Sequence, residues 1–191
     1  MGMGKIKDEV LVFKSIKGNS KAFELLLDRH LKSVYNFLFR LVGDLPTAQD
    51  LTQETFFKAW KNLRHFDRKK SFKTWLFTIA RNNAYDHLRK KRPTPFAYFE
   101  DNEGNSWINN MADEEMLPDE LLVRIEREKN ISKLIKKLPK KYQIILLLRY
   151  KDDFSLAEIA EILGQPYNTI KSQHQRGLMK LRKIIENKFK S

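Results

Sequence analysis

Between Asn168 and Arg176 the chain spaces amide, hydroxyl and cationic side chains at helical steps. Asn168, Lys171, Ser172, Gln175 and Arg176 would share one side of a helix, with Met179 beyond them. The chemistry open to such a set is recognition, with no bond made or broken. Lys171 and Arg176 can reach phosphate or guanine in the DNA major groove, while Ser172 and Gln175 can reach base edges. Ile170, Gly177, Leu181 and Ile184 fall on the opposite side at the same period, and would seat the helix on a core. His174 lies on that apolar side, which makes it a core or boundary histidine and no base reader.

A second constellation lies between residues 64 and 89. The run RHFDRKK at 64–70 breaks helical periodicity and is expected to be a polar loop. His65, Phe66 and Asp67 could form a pocket for one base that has left its stack. Asp67 would accept from an exocyclic amine, Phe66 or His65 would stack, and Arg68, Lys69 and Lys70 would hold the strand's phosphates. Behind the loop, Trp75, Thr78, Asn82, Tyr85 and Arg89 form a stripe rotated away from Phe72, Leu76, Ile79, Ala80 and Asn83. Aromatics, amides and a cation on one face can stack on unpaired bases and bond their edges. Ordinary core aromatics with a solvated basic tail are the alternative. A third set, Asp50, Gln53, Glu54 and Lys58, is polar and outward and suits a hydrogen-bonded protein interface.

Nothing in the chain calls for catalysis. His30, His65, His87 and His174 are scattered without metal-ligand spacing, and there is no glycine-rich phosphate loop and no nucleophile elbow. No catalytic residue, metal, cofactor or small-molecule substrate is expected. Cysteine is absent, which excludes disulfides and suits a reducing cytoplasm. The 191 residues hold 37 Lys and Arg against 24 Asp and Glu, and the net charge of +13 favours a polyanionic partner. The N-terminal stretch carries charges throughout, so neither a signal peptide nor membrane insertion is expected.

Helices must position all three sets. Asp8 to Ile16 reads as a short amphipathic helix closed by Gly18-Asn19. Ser20 is expected to cap a long one with Phe23, Leu26, Leu27, Leu31, Val34, Phe37, Leu38 and Leu41 inward and Gly43 at its end. Pro46 opens the next, which runs to about Leu63 with Ala48, Leu51, Ala59, Trp60 and Leu63 as its inner face. Ser71 caps a fourth, stopped by Pro93 and Pro95. From Pro93 to Pro118 the composition shifts to that of a linker, with an acidic cluster at Asp113–Glu115. Phe96, Tyr98, Phe99, Trp107 and Ile108 suggest that it docks on something. A second helical unit starts near Asp119. It includes the apolar helix YQIILLLRY and ends in a helix-turn-helix: Ser155 and Glu158 make a capping box, Gly164 ends the first helix and Pro166 opens the second. A solvated αα-hairpin is the competing reading of that last pattern.

Taken together, these residues resemble a sigma factor of bacterial RNA polymerase, in the extracytoplasmic-function (ECF) group of the sigma-70 family. DLTQETFFKAW (Asp50–Trp60) resembles the segment that binds the polymerase clamp helices. FKTWLFTIARNNAYDHLRKKR resembles the segment that opens and reads the −10 element, and the stretch from LPKKYQ to QHQRG the module that reads the −35 element. The family pattern departs at four places: glycine is usual at Asn168, arginine at Gln173, leucine at His174 and alanine at Gly177.

The expected architecture is therefore all-α, with two small helical domains joined by a flexible linker: residues 1–92, linker 93–118 and residues 119–191. The resemblance implies core RNA polymerase, promoter DNA and an anti-sigma protein released by stress as partners in the cytoplasm. Asp50, Gln53, Glu54 and Lys58 would bind the polymerase. His65, Phe66, Asp67, Arg68, Trp75, Thr78, Asn82, Tyr85 and Arg89 would serve the −10 element. Asn168, Thr169, Lys171, Ser172, Gln175 and Arg176 would serve the −35 element. A stand-alone helix-turn-helix regulator is the rival, and it leaves the Trp75 stripe and the Asp50–Glu54 face unemployed. A nucleic-acid-processing enzyme is a weaker rival, lacking any metal or phosphate motif.

Overall fold

The computed structural model describes residues 6–91 and 131–189. The expected linker 93–118 with its aromatics and acidic cluster, Arg92, and the expected helical start near Asp119 lie outside the described residues. All regular structure among the described residues is helical. The chain divides into two compact units, the first carrying the N-terminal helices and the second built around the C-terminal ones.

The first unit contains α1 (Asp8–Ile16), α2 (Ser20–Val42), α3 (Leu45–Asn62), a 3-10 turn (Leu63–His65) and α4 (Phe72–Lys91). The cap of α2 is Asn19, one residue before the expected Ser20: its side chain accepts from the Ala22 N–H at 3.1 Å. Gly43 ends α2 at φ 77°, left-handed backbone that a Cβ would strain, and its N–H reaches the Phe39 carbonyl at 2.8 Å. Asp44 caps α3 through the Thr47 N–H, and Ser71 caps α4 through the Thr74 N–H.

The core of this unit is Leu11 and Val12 of α1, Leu26, Val34, Phe37, Leu38 and Leu41 of α2, Ala48, Leu51, Phe56 and Ala59 of α3, and Phe72, Leu76, Phe77, Ala80 and Ala84 of α4. Phe37 meets Phe77 at 5.2 Å between ring centroids. Two expected core residues face out instead, Leu31 on α2 and Trp60 on α3. At about 100° per residue, Trp60 is carried past the edge of the arc set by Phe56 and Ala59. Two hydrogen bonds tie α3 to α4. Asn83 donates to Thr55 Oγ1 at 3.0 Å and Lys58 donates to Asn83 Oδ1 at 2.6 Å, while Thr55 itself donates within α3 to the Leu51 carbonyl at 2.7 Å.

The C-terminal helices are α5 (Ile131–Ile135), α6 (Lys140–Tyr150), α7 (Leu156–Leu163) and α8 (Tyr167–Phe189). Pro139 stands at the N-cap of α6. Leu134, Ile135, Leu138, Tyr142, Leu146, Leu178, Leu181 and Ile185 form one buried cluster between α5, α6 and α8. The expected capping box is present: Ser155 N–H donates to Glu158 Oε2 at 2.8 Å, and the Glu158 N–H donates to Ser155 Oγ at 3.2 Å. Gly164 follows at φ 64°, and the Gln165 N–H returns to the Ala160 carbonyl, closing α7 before α8 begins.

Candidate polymerase and nucleic-acid interfaces

On α3, Asp50, Gln53 and Glu54 are exposed as the sequence suggests. Lys58 is already engaged: it pairs with Glu54 at 2.7 Å and donates to the buried Asn83. It fixes the Glu54 carboxylate and joins that face to α4. The sequence reading missed the centre of the face. Phe57 and Trp60 are 60% and 59% exposed, with ring centroids 6.5 Å apart. Phe57 sits four and three residues from Gln53 and Glu54, and Trp60 seven and six, so the aromatics flank the same polar side. Exposed aromatics ringed by polar groups are what the buried centre of a protein interface is made of. The signal was present in the sequence, but the apolar character of Trp60 reads equally well as core.

On α4, the stripe stands apart from the core. Asn82 and Arg89 are exposed, while Trp75, Thr78 and Tyr85 are half-buried. Burial pushes the Tyr85 hydroxyl up to about 12, against the opposing pull of Arg81, whose guanidinium lies 5.2 Å from the ring centroid. Tyr85 therefore stays neutral and able to donate. Arg89 pairs with Asp86 at 3.1 Å on the surface, and Thr78 donates to the Thr74 carbonyl.

The loop before α4 is more ordered than a polar connection. Phe66 is buried, edge-on to Phe72 at 5.9 Å and tilted against Trp75 at 5.1 Å. Its ring thus anchors the loop from beneath, where the sequence reading offered it to a base. His65, Asp67 and Arg68 are exposed around it. Asp67 Oδ1 accepts from the Lys69 N–H at 2.9 Å, and its carbonyl accepts from the Lys70 N–H, so Asp67 shapes the turn it sits on.

On α8, Asn168, Lys171 and Gln175 are exposed and Thr169, Ser172 and Arg176 half-buried. Ser172 donates to the Thr169 carbonyl at 2.9 Å. Ile170, Gly177 and Leu181 are buried as expected, with Ile184 packed beside them. His174 is the boundary residue the pattern implies, within 3.0 Å of the Tyr150 hydroxyl at Nε2. Burial, helped by the charge of Arg149, drives its pKa down to about 4, so the ring is neutral where it shares a hydrogen bond with the Tyr150 hydroxyl. Gln173 is fully buried and neither end of its amide has a partner. Among the described residues no cluster of His, Cys, Asp or Glu could hold a metal ion, and no helix is long and apolar enough to cross a membrane.

Residues 26–94 match the family described as Sigma-70 region 2, and residues 128–181 match Sigma-70, region 4. The chain is 35% identical over 185 residues to the ECF RNA polymerase sigma factor SigW of Bacillus subtilis, covering 94% of this chain and 99% of that one. It is 33% identical over 189 residues to the ECF RNA polymerase sigma-E factor of Escherichia coli, covering 96% and 95%. Among solved structures, RpoE of Bartonella quintana, in complex with the anti-sigma factor NepR, superposes with a TM-score of 0.59 at 25% identity, covering 87% of this chain and 98% of that one. CnrH, solved with the cytosolic domain of CnrY, shares the fold with a TM-score of 0.61 at 22% identity, covering 94% and 97%. The chain belongs to the ECF sigma factors of the sigma-70 family, which direct RNA polymerase to promoters.

Proposed function

We propose that the chain initiates transcription by binding core RNA polymerase through α3 and reading promoters with α4 and α8. Residues 1–92 form the polymerase-binding and −10-reading domain, 93–118 the linker, and 119–191 the −35-reading domain. Asp50, Gln53 and Glu54 make the polar contacts to the polymerase around Phe57 and Trp60, and Lys58 holds Glu54 in place. Trp75, Thr78, Asn82, Tyr85 and Arg89, with His65, Asp67 and Arg68, receive the −10 strand once it has opened. Asn168, Thr169, Lys171, Ser172, Gln175 and Arg176 read the −35 duplex. The protein acts by binding alone, without a catalytic residue or cofactor, in the cytoplasm. An anti-sigma protein of the kind seen with RpoE is the partner that covers these faces until stress releases it.

The observation that carries this reading is the pair of dissimilar faces on α3 and α4. One is aromatic-centred with a polar rim, the other an aromatic, amide and cation stripe. A regulator that only grips duplex DNA needs neither. The test is gel filtration with core polymerase, in which this chain co-elutes and a stand-alone regulator does not. Replacing Gln53 and Glu54 together by alanine is expected to weaken core binding by about 1–3 kcal/mol without loss of helicity. Unchanged co-elution and transcription in that double variant would remove α3 from the interface.

A further inference from the structure

Helix α1 belongs to none of the three candidate faces, yet the structure ties it down at both ends. At its start, the Asp8 carboxylate is gripped by Arg29 and by His30, whose Nε2 lies 2.6 Å from Oδ2, and Arg29 also donates to the Ile6 carbonyl at 2.8 Å. Burial works to raise the Asp8 pKa, but His30 and Arg29 outweigh it and hold the carboxyl below its ordinary range. Leu11 and Val12 bury the middle of the helix. At its far end Phe13 stays 40% exposed, with Lys17 Nζ 4.3 Å from its ring centroid and Arg68 Cζ 5.4 Å from it. Arg68 is in the loop 64–70.

A second line of contacts reaches the same loop from below. His30, held by Asp8, lies 5.9 Å from the Phe72 ring; Phe72 meets Phe66 at 5.9 Å, and Phe66 meets Trp75 at 5.1 Å. The loop is thus pinned from beneath at Phe66 and from the side at Arg68, and α1 feeds both pins. A cation over an aromatic face at an exposed site contributes about 0.5–1 kcal/mol. That is enough to favour one placement of a short loop severalfold.

We propose that α1 is a clamp for the loop 64–70, and that Phe13 is a positioning residue that holds Arg68 and thereby sets the geometry in which His65 and Asp67 meet an unpaired base. The consequence for base choice rests on the reading of this loop as the −10 selector. The clamp itself does not.

Phe13→Leu keeps an apolar side chain and removes the attraction for Arg68, whereas Phe13→Trp keeps both. The full-length variants, shown to melt as the parent does, are treated with trypsin, and cleavage after Arg68, Lys69 and Lys70 is timed. Transcription is also run with core polymerase on a promoter library randomised across the −10 element. Phe13→Leu is expected to be cut about two- to fivefold faster in the loop. It should also flatten the −10 base preference by a similar factor, with core binding unchanged. Phe13→Trp should match the parent in both readings. Parental cleavage and preference in Phe13→Leu would overturn the clamp. Faster cleavage with an unaltered preference would overturn the link to base choice, provided that grafting a different loop at 64–70 does alter it. An unaltered preference after the graft would instead overturn the −10 reading of the loop, and the tryptic arm would judge the clamp by itself.

Discussion

Helices α4 and α8 are both proposed to meet nucleic acid with polar side chains, but they are built in opposite ways. The α4 stripe is largely half-buried, and Trp75 leans on Phe66 and Phe72 at 5.1 and 5.8 Å. The α8 face is made of flexible polar side chains, Asn168, Lys171 and Gln175, standing in solvent on a helix whose other side is wholly apolar apart from Gln173 and the boundary His174. A base that has left its stack needs a flat, rigid surface to replace the one it lost. A base still in the duplex shows only its edge, and needs reach and hydrogen bonds. The aromatic backing of α4 and the exposed amides of α8 match those two needs separately.

The sharpest way to break this comparison is Trp75→Ala. It should reduce promoter opening, read as permanganate reactivity of −10 thymines, by about 10- to 100-fold, corresponding to one or two stacking contacts. Duplex binding at the −35 element should stay within about twofold. Trp75→Phe, which keeps the ring pair with Phe66, should recover much of the opening. Equal losses in opening and duplex binding would mean that α4 does not treat the two states of DNA differently.

Acid should separate the two units next. The folded pKa of His174 lies near 4, below its ordinary 6.5, so the unfolded chain binds more protons between those values. The stability this confers on the second unit is complete above about pH 6.5 and is lost as pH falls toward 4, by about 2–3 kcal/mol. Urea titrations at pH 7 and pH 4.5 measure it, and His174→Leu should remove most of the difference. Equal pH dependence in that variant would place the acid sensitivity elsewhere.

Within α8, Arg176→Ala should cost about 1–3 kcal/mol at one base position and relax preference there. Lys171→Ala should weaken all promoters alike and reduce the salt slope by about one. If both variants lower binding uniformly, α8 grips the backbone without reading sequence.

Where the sequence sufficed, a local rule was strong. Gly18, Gly43, Pro46, Gly164 and the Ser155–Glu158 pair mark helix boundaries through constraints that act within a few residues, and α1, α2, α3 and α7 begin and end within about two residues of where those signals put them. Periodicity was weaker at the edges of an inward arc. Trp60 and Leu31 are apolar and fall near the edge of an inward arc, and nothing in the chain says that the arc stops short of them. Phe66 failed in the other direction. It lies past the end of α3, where no period assigns a face, and only the three-dimensional meeting with Phe72 and Trp75 shows that it is buried. Phe77, pressed on Phe37, went unnoticed because the stripe through Phe72, Leu76 and Ala80 already accounted for an inner face. The buried amide of Gln173 is the least legible of all, since a glutamine beside Ser172 looks like another reader.

Gly177 gives α8 a fulcrum. The family's usual alanine would be the better helix former by about 0.5–1 kcal/mol, but a Cβ at 177 would stand 3.3 Å from the Cβ of Tyr142 and 3.5 Å from Leu146. Glycine lets α8 and α6 close at that point. Asn168 lies nine residues away, about 13 Å along the axis at about 1.5 Å per residue. About that point the helix is a lever, with the arm from Leu178 to Ile185 seated in the core and the arm toward Asn168 the one proposed to enter the groove. A methyl wedge that tilts it by about 5° would swing the tip by about 1 Å, more than the roughly 0.5 Å within which a recognition group must be held. Gly177→Ala is therefore expected to alter −35 base preference by about two- to fivefold from a residue that touches no DNA, with unchanged or slightly higher helix stability. Parental preference in a −35 library would show that α6 yields to the methyl group and α8 stays where it was.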